Sequence, residues 1–441
     1  MCLTLNAWGI TESEIRQSVL DNFQLIEEAR LKYEASKSEV TAAEGEFDHK
    51  LEFKSRNRIE DKYDNRYFET TIERNTGLKG LGLIVGHRQG LGTFPAYDGK
   101  YETSAAGEVF AGITLPLLRN FSTDVSRTNL VVAKIEENQA KEQLKLKQNI
   151  YVHKALSLFF KWQLELRNFH IRKRILKLAE ERDDMLQRRY KSGDIEKVKL
   201  TDNQRSINKR RDEVQKSEIK LTQLETELSL YMPRYRLEDF AKDHEQSPAL
   251  VTTLILPSIS KEISSEKIPQ LRILELEQEK FKKLEDLFSQ SQLPGLAVDL
   301  LGAKELSPDQ PYDRERLQVA VKFDFPFENR KAEGKTTAQA YKTMALEKQR
   351  DYVLSEISRT FSYSLKALEL TMGRWETVSK ETEATMIMAS AEKSRWSQGS
   401  SDLFVVNLRE EDVADVEVKK WTVLNDFQQL LIDAKLLNGT I

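Results

Sequence analysis

The chain of 441 residues contains a single cysteine, Cys2. One thiol closes no intramolecular disulfide and builds no thiolate metal cluster. Histidine is nearly as scarce: His49, His87, His153, His170 and His244 are scattered, with no i, i+4 pair, so each reads as an ordinary surface or packed residue. No Walker loop, nucleophile elbow or dinucleotide fingerprint occurs, and Gly80, Gly82, Gly86, Gly90 and Gly92 sit on strand-like sequence with no following helix. No enzyme activity, cofactor or metal site is expected on these grounds. Seven methionines are dispersed apart from Met386 and Met388, which gives no sign of a metal cargo either.

Long hydrophobic runs are also missing. Ala155 to Phe160 is among the longest, far below the ~18 apolar residues of a membrane-spanning helix, which excludes a helical membrane protein. Residues 1–9 lack a basic stretch and a full apolar core, so as written they are not a complete signal peptide but resemble the remnant of one. A lipid anchor on Cys2 would lack the preceding apolar residues such a site needs. Charge of one sign is absent as well: 68 basic against 71 acidic side chains give −3, so no global field draws the chain to nucleic acid. The basic runs 167–189 and 205–211 read as solvated helix faces, the first interrupted by Glu180, Glu181, Asp183 and Asp184. With 32% charged and 39% hydrophobic residues the chain is poor in apolar content for several compact cores, and thin, elongated packing fits better.

What is present is an internal duplication. Gly112 to Asn120 (GITLPLLRN) leads to Arg189-Tyr190-Lys191-Ser192-Gly193, and Val321 to Asn329 (VKFDFPFEN) leads to Arg395-Trp396-Ser397-Gln398-Gly399. Pro116 and Gly193 are 77 positions apart and Pro326 and Gly399 are 73, a difference of about one helical turn. Each copy opens with a helix, the first from Gln24 through Ala29 and Tyr33 to Phe47, the second from Gln270 through Leu274 and Phe281 to Leu293. The copies differ mainly between that helix and the proline, where the first carries a longer insert. Residues 1–232 form the first repeat, 233–268 a Pro- and Ser-rich linker with Pro248 and Pro257, and 269–441 the second repeat.

Leu317, Val319, Val321, Phe323 and Phe325 alternate with polar residues, as do Val109, Ala111, Ile113 and Leu115, which marks strands with one apolar face. Leu81, Leu83 and Val85, and Leu296, Val298 and Leu300, supply partners, giving about four principal strands in two hairpins. Such strands suit either a sandwich with a dry core or a membrane barrel with lipid outside and water inside. The polar stretches 57–76 and 93–108 read as long loops. After Pro116 and Pro326, the strand-to-helix junctions, some sixty residues run without proline, and a helix of ~60 residues is ~90 Å long. Ile171, Ile175, Leu178 and Met185 fall on one stripe, and Leu200, Ile207, Val214, Leu221 and Leu228 recur every seven positions, the signature of coiled-coil packing. Gly193 and Gly399 are placed to reverse two helical hairpins.

Four strands cannot close a membrane barrel, which needs ~8 or more, so membrane-embedded strands would require several chains to share one barrel. The duplicated strand-Pro-helix, the Arg-aromatic-x-x-Gly turn and the heptad return together resemble the TolC-like outer-membrane efflux proteins over nearly the whole chain. The resemblance implies a mixed α and β fold in which a homotrimer forms a twelve-stranded transmembrane β-barrel continued by an α-helical coiled-coil barrel across the periplasm. It implies a passive exit duct whose tips, at Tyr190, Gly193, Trp396 and Gly399, meet a periplasmic adaptor and an inner-membrane pump; for Tyr190 and Trp396 simple packing within the hairpin remains the other reading. The family's L-D-V-L run beyond the turn appears here as Val198-Lys199-Leu200-Thr201 and Phe404-Val405-Val406-Asn407, so Lys199 and Val405 replace its aspartates. Glu410, Glu411 and Asp412 would line the lumen near its entrance or form a solvated helix face. A periplasmic coiled-coil scaffold is the other functional reading, sufficient for the heptads but silent on the strands.

Overall fold

The computed structural model describes residues 11–59, 62–96, 99–233, 254, 265–306 and 315–440; Cys2 and most of the linker, with Pro248 and Pro257, lie outside the described residues. Along the first repeat run α1 (Glu12–Asn22), α2 (Gln24–Glu44), β1 (Lys50–Arg58), β2 (Asn65–Asn75), β3 (Gly82–Gly92), β4 (Glu108–Pro116), α3 (Val125–Lys191) and α4 (Lys197–Ser229). The second repeat supplies α5 (Pro269–Gln290), β5 (Gly295–Glu305), β6 (Glu315–Asp324), α6 (Arg330–Ser397) and α7 (Leu403–Leu437). The chain divides into two units that cut across the repeats: residues 1–30, 143–271 and 353–441 make one, and 31–142 and 272–352 the other.

The first unit is helical. Phe159, Phe160, Trp162 and Leu166 of α3 pack on Leu221, Leu224 and Leu228 of α4, with Ile15 and Val19 of α1 closing the cluster. Phe361, Leu368 and Trp375 of α6 pack in the same way on Val423, Leu424 and Phe427 of α7. The seven-residue period of α4 lies on its inward face: Ile207, Leu221 and Leu228 are buried and Leu200 and Val214 half-buried. On α3 the stripe holds at Ile171 and Ile175 but not at Met185, which is exposed while Leu186 is buried. An undistorted helix drifts ~20° per heptad from a strict seven, so after two heptads the inward position passes to the neighbouring residue.

The second unit carries one antiparallel sheet in sequence order, β1-β2-β3-β4-β5-β6. The expectation of about four strands is corrected to six among the described residues, because β1 and β2 add a hairpin that accounts for the insert in the first repeat. Much of 57–76, expected as a loop, is strand: Tyr67, Phe68, Thr70, Thr71 and Ile72 are β-branched or aromatic, and tight pairing to β1 and β3 fixes them extended. The stretch 93–107 forms no strand among its described residues, and pairing of β4 with β5 joins the two repeats. All four helix connections, together with the short turn at 76–81, lie at one end of the sheet; Arg58 and Asn65, Gly92 and Glu108, and Glu305 and Glu315 end their strands at the other.

Leu228 is fully buried, so Leu228→Ala should lower stability by about 2–5 kcal/mol. A shift of the chemical-unfolding midpoint worth less than ~0.5 kcal/mol would mean that the heptad seam does not hold this unit together.

Candidate functional site

Register sorts the strand residues onto two faces. Leu51 pairs with Ile72, Ile72 with Val85, Val85 with Ala111, and Leu300 with Val319, so one face carries Leu51, Phe53, Ile72, Leu83, Val85, Val109, Leu300, Leu317, Val319, Val321 and Phe323. These side chains are bare, from 39% exposed at Leu83 and Leu300 to 79% at Leu317. A contiguous apolar surface running over all six strands marks an interaction face, protein or lipid, and not an ordinary solvated sheet.

The opposite face is polar and built. Glu108 on β4 is fully buried and receives the guanidinium groups of Arg88 on β3 and Arg316 on β6. Arg316 also lies 3.3 Å from Glu305 on β5, and the Tyr101 hydroxyl donates to Glu108 at 2.8 Å. Phe110 packs beside this cluster over Gly86, where a Cβ would fall 2.5 Å from its ring, so a close approach of ring to backbone requires glycine there. None of these residues was singled out in the sequence; Glu108 stands directly before an apolar alternation, but its partners are up to 208 positions away and no local signal links them.

The expected junction residues lie at the helix end of the sheet. Pro116 closes β4 and is buried, whereas Pro326 follows β6 and is exposed. A left-handed asparagine follows each, Asn120 at φ 70° and Asn329 at φ 49°, so the duplication extends to backbone conformation.

At the hairpin ends of the long helices the two tips have the same hydrogen bonds. Gly193 N–H donates to Tyr190 O at 3.0 Å and Asp194 N–H to Arg189 O at 2.9 Å; Gly399 N–H donates to Trp396 O at 3.0 Å and Ser400 N–H to Arg395 O at 2.9 Å. Both glycines take positive φ, 82° and 73°, and a Cβ at either would meet nothing within 4 Å, so backbone alone dictates them. Tyr190 is 41% exposed and Trp396 half-buried. Lys199, in place of the family's aspartate, sits 3.6 Å from Asp402, whose carboxylate caps α7 through the Phe404 N–H at 3.0 Å.

Of the three acids, Glu410 points between Arg182 and Arg210, the latter at 3.0 Å, in a cluster where the arginines are 7% and 2% exposed. Glu411 pairs with Lys209 at 3.0 Å and Asp412 with Arg409 at 3.1 Å. Among the described residues no helix is long and apolar enough to cross a membrane, and no group of three or more His, Cys, Asp or Glu is arranged to hold a metal.

Truncating Glu410 to alanine leaves two buried arginines facing each other, and about 3–5 kcal/mol of stability should be lost, read in chemical unfolding. Gly193→Ala and Gly399→Ala should each cost about 1–2 kcal/mol by backbone strain alone. Unchanged melting of both glycine variants would remove the requirement for left-handed tips.

No protein-family model matches the chain, and no curated protein matches it. Solved structures do. The Campylobacter jejuni CmeC outer membrane channel aligns at 10% identity with a TM-score of 0.71, covering 98% of this chain and 86% of that one. The outer membrane protein VceC from Vibrio cholerae aligns at 10% identity with a TM-score of 0.70, covering 97% and 96%. The open state of the Neisseria gonorrhoeae MtrE outer membrane channel aligns at 12% identity with a TM-score of 0.66, covering 97% and 88%. At these identities the likeness is one of fold, and the chain has the fold of the TolC-like outer-membrane channels.

Proposed function

We propose that the protein is the outer-membrane exit duct of a tripartite efflux or secretion system, conducting substrates passively from periplasm to exterior. The observation that carries this reading is the bare apolar face of the sheet. In water, eleven exposed aliphatic and aromatic side chains over six paired strands would drive aggregation; against lipid they are in their preferred medium. A soluble coiled-coil scaffold leaves that face without a role.

The sheet's edges support a barrel shared between copies. β1 and β6 each present unpaired backbone groups that lipid cannot satisfy, so copies of the chain close the ring, β6 of one onto β1 of the next. Six is an even number, so the alternation of strand direction continues across each junction. A homotrimer then has eighteen strands, a wider barrel than the twelve of the family resemblance. The helical hairpins form the periplasmic part of the duct, with an adaptor at the tips around Tyr190, Gly193, Trp396 and Gly399 and an inner-membrane pump beyond it. Energy comes from the pump, so the duct itself needs no nucleotide site.

Expressed with a complete export signal and extracted from outer membranes, the protein should behave in detergent as a particle of about three times the 51.0 kDa chain. A monomer or dimer that stays in solution without detergent overturns the duct.

A further inference from the structure

The connection between β3 and β4 does not stand away from the sheet. From 99 to 107 it crosses the polar face, and its contacts span nearly the full width of the sheet. Lys100 Nζ lies 3.7 Å over the ring of Tyr67 on β2. The Tyr101 hydroxyl reaches Arg88 on β3 and Glu108 on β4, the latter at 2.8 Å, while the Arg316 guanidinium of β6 lies 4.0 Å from the Tyr101 ring centre. Thr103 N–H donates to Gly90 O at 2.9 Å and its hydroxyl accepts from Gly90 N–H at 3.0 Å. Gly90 admits the crossing: a Cβ there would lie 2.4 Å from the Tyr101 carbonyl oxygen. The anchors are buried, Tyr67 at 6%, Thr103 at 7% and Glu108 at 0% exposure.

We propose that residues 99–107 are a fixed strap across the inner face of the barrel that narrows the conducting path and sets its charge preference. This rests on the duct reading, in which the apolar face meets lipid and the polar face lines the lumen. A loop held by hydrogen bonds and ring contacts on four different strands does not swing aside as a free extracellular loop would. Glu108 and Glu305 offset Arg88 and Arg316, and Glu69, which accepts from the Tyr67 hydroxyl, offsets Lys100 over the same ring, so the anchor is close to neutral and the exposed Glu102 is the strap's acidic group towards the lumen. Repeated in each copy of a closed ring, the strap forms a constriction with a ring of Glu102 carboxylates, which disfavours anions and passes cations and neutral solutes more readily.

The test is conductance of the detergent-purified protein in planar lipid bilayers. Tyr101→Ala removes the central anchor and should raise single-channel conductance at least twofold. Glu102→Lys leaves every anchor in place and should keep conductance near wild type while moving the reversal potential in a salt gradient towards anion selectivity. Should Tyr101→Ala fail to assemble, Glu102→Lys decides alone. Wild-type conductance with an unmoved reversal potential in Glu102→Lys overturns the strap while the duct stands; a wild-type protein that assembles but conducts nothing overturns the duct and the strap with it.

Discussion

Backbone polar groups in an apolar medium must all be paired, and on the proposed reading the sheet depends on meeting that demand. Among the described residues each inner strand is paired on both sides and β1 and β6 on one only, and each edge strand carries a bare apolar face beside its charged one. Soluble proteins blunt such edges with charge, proline or bulges. Here Leu317, Val319, Val321 and Phe323 follow β6 to its end on one face, and Leu51 and Phe53 occupy the same face over the first half of β1. On the proposed reading, the even strand count lets β1 receive β6 of a second copy antiparallel, and the apolar band then runs unbroken around the ring.

Burial governs where charge can stand. Charged groups on the polar face are buried only in combination, Glu108 between two arginines, Arg316 between two glutamates, because an isolated ion would lose its hydration without return. The helical unit uses the same solution. Glu410 joins Arg182 and Arg210 where α3, α4 and α7 meet, and Arg167 lies 4.4 Å from the ring centre of Trp421. Burial pushes the Arg167 guanidinium down to about 10, still cationic at neutral pH. A chain with almost as many charged as hydrophobic residues can therefore hold together: each long helix buries one stripe, and some charges are taken into paired clusters.

The parts legible in the sequence were those with a period. The sevens of α4 place Ile207, Leu221 and Leu228 inward, and Val319, Val321 and Phe323 alternate as a strand must. The duplication identified both tips, because only glycine sits easily where the helices reverse. What escaped was β1 and β2, whose Lys, Arg, Glu and Asn content reads as loop. Their alternation of Leu51 and Phe53 with Glu52 and Lys54 was present but short, and a strand lined on one side by charge looks polar when both sides are averaged together. The Arg88–Glu108–Arg316 cluster had no local signature at all, since only the pairing of β3, β4, β5 and β6 brings it together.

Duplication fixes the backbone more strictly than the side chains. The left-handed asparagines after Pro116 and Pro326 and the matched hydrogen bonds at Gly193 and Gly399 persist, yet Pro116 is buried and Pro326 exposed, and the tip residues have diverged. Lys199 and Val405 stand where the resembling family carries aspartate. The consequence is visible in Asp402, whose carboxyl is held below the usual carboxylate range first by the Phe404 N–H and then by Lys199. A single acid thus caps α7 and pairs with the lysine of the other hairpin, which ties the two repeats together.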